Sequence, residues 1–94
     1  MTVDKILEIQ KYLTVDYGDY KRTIIDLNLL LRRHTPEVVV RFLYQLLKEK
    51  EKALRKMIIG DKTSLKINDT VSFMFRIFMV IKILETEMEE IKCA

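Results

Sequence analysis

Along most of this chain the apolar residues recur at spacings of three and four, the period of helices packed on one side. Val3, Ile6, Leu7 and Leu13 share one side of a short first helix over residues 3–13, which Thr2 can cap. Tyr17, Tyr20, Ile24, Leu27 and Leu31 continue the alternation. They predict a second short helix that starts after Asp16 and ends near Arg32, Arg33 and His34. Asp16 and Asp19 suit its N-terminus, and Gly18 weakens its first turn. The sharpest boundary is Thr35-Pro36-Glu37: a cap, a proline at the first helical position and an acid in the first turn. A third helix then runs over 36–59 and stops at Gly60. Val40, Leu43, Leu47, Leu54 and Ile58 form its inward face.

Residues 60–69 read as a loop in which Leu65 and Ile67 flank Lys66, a pattern that admits a short extended piece. Asp69 caps a fourth helix over 70–92. The third and fourth helices are each about 35 Å long at about 1.5 Å per residue. One loop joins them, so the simplest arrangement is a long antiparallel hairpin. The expected fold is all-α: four helices in a single domain over 1–94, two short N-terminal helices packed on a long antiparallel helical hairpin.

The most apolar stretch is FMFRIFMVIKIL, residues 73–84. It falls short of the roughly 20 residues a membrane span needs. Arg76 and Lys82 would each cost about 2.5–3.5 kcal/mol near a bilayer centre. The stretch also lacks the continuous polar face of a membrane-surface helix. Ile77, Ile81, Leu84, Met88 and Ile91 follow a three-four spacing and form the inward seam. Phe73, Phe75, Met79, Val80 and Ile83 point elsewhere around the same helix. One helix of so small a protein is hard to bury on every side, so these residues are the expected interface for a protein partner or a second copy.

Charge adds a second surface. Arg41, Lys48, Lys52 and Arg55 share a face of the third helix opposite its apolar side. Glu49 and Glu51 lie within helical reach of Lys52 and Arg55, so part of this face is locally paired. Residues 48–82 hold nine Lys or Arg against four acids, whereas 83–94 hold one Lys against four Glu. A hairpin gathers Lys48, Lys50, Lys52, Arg55, Lys56, Lys62, Lys66 and Arg76 towards one end and leaves Glu85, Glu87, Glu89 and Glu90 at the other. A basic end suits phosphates or an acidic protein surface. The aromatic residues fit packing stripes, so nucleic-acid contact would be with phosphates and would weaken steeply with salt. A helix-turn-helix across residues 32–37 is disfavoured, because the first turns of the third helix carry Val38, Val39 and Val40 where base-reading polar residues belong.

Catalytic chemistry is sparse. His34 is the single histidine and Cys93 the single cysteine, which excludes an intramolecular disulfide. The two glycines are isolated and build no phosphate loop. An enzyme, a metal, a cofactor and a small-molecule substrate are not expected. The first ten residues lack the basic start and apolar core of a secretory leader, which with the lone cysteine predicts a cytoplasmic protein. Few Asn and Gln beside many Lys and Glu suggest a hot environment. The expected function is a non-catalytic helical subunit or adaptor, an accessory factor of a nucleic-acid-processing complex. The alternative is a stand-alone dimeric DNA-binding protein contacting phosphates.

Overall fold

A computed structural model describes residues 3–16, 18–60 and 64–93. Helix α1 covers Val3–Gln10 and tightens into one 3-10 turn, Lys11–Leu13. Strands β1, Thr14–Asp16, and β2, Lys21–Thr23, follow. Helices α2, Leu27–Arg33, α3, Pro36–Ile59, and α4, Ser64–Cys93, complete the chain. The protein is mostly helical, with α3 and α4 packed against each other as an antiparallel pair. Two contacts set the direction: Tyr44 meets Glu85 and Thr70 meets Met57.

The expected second helix is largely a β-hairpin. Strands β1 and β2 pair antiparallel, with Thr14 opposite Thr23, Val15 opposite Arg22 and Asp16 opposite Lys21. Gly18 explains why a helix fails here. It adopts φ +84°, a left-handed conformation open to glycine and costly for other residues, and so turns the chain back. The Ile24 N–H donates to the Leu13 carbonyl at 2.8 Å and extends the ladder. Helix α2 therefore begins at Leu27 rather than just after Asp16 and is capped by Asp26, whose carboxylate accepts from the Leu29 N–H at 3.0 Å.

Gln10 fastens this irregular segment. Its side-chain amide donates to the Ile25 carbonyl and its side-chain oxygen accepts from the Leu27 N–H, both at 2.7 Å. One side chain thus satisfies a carbonyl before α2 and one of the orphan N–H groups at its start.

The start of α3 follows its sequence signals. Thr35 accepts from the Val38 N–H at 3.5 Å, and Pro36 occupies the first turn. Gly60 ends the helix with φ −81°, so its role is not the left-handed cap usual for glycine. Helix α4 begins at Ser64 rather than near Thr70. Leu65 and Ile67 are therefore helical, and Asp69 lies inside the helix. The predicted cap Thr2 lies outside the described residues.

The core gathers Ile9, Leu13, Leu27, Val39, Val40, Leu43, Ile77, Val80, Ile81 and Leu84. Among the described residues it contains no polar or charged side chain. It occupies the open end of the hairpin, where α1, the 3-10 turn and α2 cover α3 and α4. Among the described residues, α3 has no buried side chain beyond Leu43, and α4 has none before Ile77. The remaining turns of both helices, 44–59 and 64–76, form a two-helix arm reaching away from the core along a molecule 49 Å long. At its tip Ile58, Ile59 and Leu65 are exposed.

Candidate partner-binding surfaces

The arm has two sides of different chemistry. One carries a groove of about 370 Å³ between α3 and α4. Leu47, Leu54 and Met74, each half-buried, form its floor. Val71, Phe75 and Phe78 stand beside it as an exposed ridge, 47%, 63% and 42% accessible. Glu51 reaches the groove from α3 and is held by Arg55, four residues on, at 2.8 Å. The ammonium of Lys82 sits 5.3 Å from the centre of the Phe78 ring, a cation–π contact that covers part of the ridge's end.

Spacing explains why these residues share a face. On α3, Leu47, Glu51, Leu54 and Ile58 alternate steps of four and three. On α4, Val71, Phe75, Phe78, Lys82, Glu85 and Glu89 do the same. Each helix of the arm therefore carries a second seam beside the one turned to its neighbour. The α4 seam is apolar along the arm and becomes charged from Lys82 onward.

Of the expected interface residues, Phe75 stands on this open face. Phe73 is half-buried on the other side of the hairpin, with the Lys50 ammonium 5.4 Å from its ring centre. Met79 and Ile83 are also half-buried, and Ile83 packs against the core. Val80 is a correction: it was expected at the surface and is 0% accessible. Ile9 and Leu13 from the N-terminal segment join it in the core and cover that side of α4. Leu47, Leu54, Val71, Met74 and Phe78 were not assigned to an interface. The repeated four-three spacing on both helices was the signal that could have found them.

The basic residues divide similarly. Arg41, Lys48, Lys52, Arg55 and Lys56 are exposed along α3, and Lys66 is exposed in the early turns of α4. Arg55 is paired with Glu51, whereas among the described residues Arg41, Lys48 and Lys52 have no acid at ion-pair distance. Lys62 lies outside the described residues. Arg76 is drawn into the structure: half-buried, it donates to the Thr14 carbonyl at 3.3 Å and ties the β-hairpin to α4.

The acidic end is partly engaged. Glu87 pairs with Lys5 at 3.6 Å, and Glu85 pairs with Lys82 at 3.8 Å. The Tyr44 hydroxyl donates to Glu85. That hydrogen bond raises the Tyr44 pKa above its ordinary range, with desolvation and the Glu85 charge acting in the same direction. His34 is exposed at the C-terminal cap of α2. Among the described residues no three His, Cys, Asp or Glu side chains gather into a metal site, and no helix is long and apolar enough to cross a membrane. No family model, curated protein or solved structure matches the chain.

Proposed function

We propose that the protein is a non-catalytic helical subunit or adaptor whose two-helix arm is its working part. The arm docks a protein through the open apolar face and offers Arg41, Lys48, Lys52 and Arg55 to phosphates or to an acidic partner. The observation that carries this reading is the uncovered groove and ridge of Leu47, Leu54, Val71, Met74, Phe75 and Phe78. An exposed ring presents much of its roughly 150–250 Å². Two adjacent rings with Val71 approach the size at which an apolar patch on a small protein marks a binding site. An accessory factor of a nucleic-acid-processing complex would use both sides of such an arm.

A stand-alone dimeric DNA-binding protein is the second reading. Arg41, Lys48 and Lys52, which among the described residues have no acid at ion-pair distance, support it. The two differ in what holds their partners. Native capture from the source cell, followed by nuclease, should leave protein partners bound to the adaptor and release those of the DNA binder. Replacing Lys48, Lys52 and Arg55 with Glu should abolish any binding to short duplex DNA and leave docking on the apolar face intact. No duplex binding by the unaltered protein at low salt would remove phosphate contact from the proposal.

A further inference from the structure

We infer that the protein binds a small phosphate monoester with a flat apolar body, in a cleft on the other side of the helical hairpin from the open face. The cleft forms where the β-hairpin overhangs α3 and α4. Val15 lies opposite Arg22 in the β1–β2 register, so these two and Ile24, two residues on, share one face of the ribbon. That face is the roof. Lys50 of α3 and Phe73 of α4 lie beneath it. Arg76 ties roof to floor through its bond to the Thr14 carbonyl at 3.3 Å, and Gly18 at φ +84° makes the turn that brings β2 back. The cleft is thus part of the folded chain and is not made by its ligand.

Two adjoining hollows share Ile24 and Phe73 as walls. Their chemistry differs. The first, of about 290 Å³, has Val15, Ile24 and Phe73 as its apolar wall and holds both Asp69 and Arg76, so its charges offset. The second, of about 320 Å³, is lined by Arg22 and Lys50 and by no acid. Among the described residues, neither of these cations has an acid at ion-pair distance. Lys50 is half-buried, its ammonium 5.4 Å from the centre of the Phe73 ring. A recess lined by one sign of charge concentrates the field and draws in the opposite ion.

Charge also orients the ligand. Asp69 repels an anionic head from the first hollow, while Arg22 and Lys50 attract it into the second. The body then lies along Ile24 and Phe73, where a flat ring can stack on the phenylalanine. Two cations match the charge of a phosphate monoester, about −1.5 to −2 at neutral pH, better than the single charge of a carboxylate. Each hollow is near the lower end of small-ligand sites, about 300–1,000 Å³, which sets the scale at one ring and its phosphate.

Phenyl phosphate carries both parts, inorganic phosphate only the head and phenol only the body. Each is titrated into the isotope-labelled full chain at about 0.15 M salt, where screening suppresses diffuse ion binding, and the amide NMR shifts are followed. Phenyl phosphate should move the Ile24, Ser72 and Phe73 amides along saturating curves, at least about tenfold more tightly than either fragment. Arg22→Gln with Lys50→Gln should weaken it about tenfold. Lys48→Gln with Lys52→Gln, an equal change of charge on the outer face of α3, should leave it unchanged. Phe73→Leu should reduce the preference for phenyl phosphate over inorganic phosphate. If a variant loses its helical circular dichroism, the comparison of the three probes in the unaltered chain still decides. Shifts that do not saturate, or that spread to Arg41, Lys48 and Lys52, would mean screening of a basic surface and would overturn the site. So would phenyl phosphate binding no tighter than its parts, or loss of binding in the Lys48 and Lys52 variant. None of these results bears on docking at the open face, which rests on Phe75 and Phe78.

Discussion

Gln10 offers a test of the fold that does not involve the arm. Its side chain makes two hydrogen bonds of 2.7 Å, accepting from Leu27 N–H and donating to the Ile25 carbonyl. Gln10→Ala removes both and strands both backbone groups. A lost hydrogen bond costs about 0.5–1.5 kcal/mol, and a buried unmet partner costs about 1–3 kcal/mol. Both bonds are only partly buried, so water can reach the stranded groups and the low end of each range applies. The better helix propensity of alanine offsets a few tenths of a kcal/mol. The two ranges describe the same loss and are not added, so the expected loss is about 1–2 kcal/mol, or roughly 5–15 °C in Tm for a domain of this size. Urea unfolding followed by circular dichroism at one fixed protein concentration measures it, since association would otherwise move the midpoint.

Gln10→Glu separates the two bonds. The carboxylate still accepts from Leu27 N–H but faces the Ile25 carbonyl without a proton. This raises the folded pKa of the introduced group above its unfolded value. The folded state then binds the proton more tightly, so the variant should regain stability as pH falls through that raised pKa. A loss below about 0.5 kcal/mol for Gln10→Ala would refute the clasp. So would a Gln10→Glu penalty that does not change between neutral and mildly acidic pH.

Two further outcomes follow from burial and charge. Val80→Ala should cost about 1.5–3 kcal/mol in urea unfolding, because the site is closed by Ile9 and Leu13, whereas Phe75→Ala in dilute monomer should cost under about 1 kcal/mol; equal losses would mean that the two residues share one environment. The Tyr44 phenol should titrate above the ordinary range, and Glu85→Gln should return it there, read by near-ultraviolet difference absorbance against Tyr44→Phe. With the folded pKa raised, the stabilisation from this contact is complete below the unfolded value near 10 and fades as pH rises through the folded one. No change on Glu85→Gln would assign the shift to another cause.

The long hairpin was legible because each boundary carries its own chemistry. Thr35-Pro36-Glu37 opens α3 and Gly60 closes it, and the three-four spacing of Ile77, Ile81 and Leu84 identifies the buried seam of α4. The N-terminal segment was less legible because a helical period does not secure a helix. Tyr17, Tyr20 and Ile24 match the period, yet the turn at Gly18 and the clasp of Gln10 on residues 25 and 27 favour a hairpin. Gln10 acts across fifteen and seventeen residues, and no local pattern announces such a partner. The start of α4 was misplaced for a related reason. Asp69 resembles a cap, but the helix continues through it to Ser64 and carries Leu65 and Ile67 along the arm.

The open face was half legible, and α4 shows why. Its apolar residues lie all around the middle of the helix, so amphipathicity alone cannot tell which side is covered. That choice is made by the N-terminal segment. Where Ile9 and Leu13 pack, Val80 becomes core, although by composition it is no more suited to burial than Val71. The opposite side keeps Val71, Phe75 and Phe78 exposed because the chain has no further segment placed over them among the described residues. The same placement leaves Leu47 and Leu54 only half-buried along one edge, although both appear inward-facing on α3 alone. A groove between helices thus belongs to neither helix's pattern. It arises where two seams meet and only one of the two flanks is covered. Adding apolar cover to the N-terminal side would not close it; covering Phe75 and Phe78 requires chain on the other side of the hairpin, which is the geometric reason the search for a partner begins with the arm.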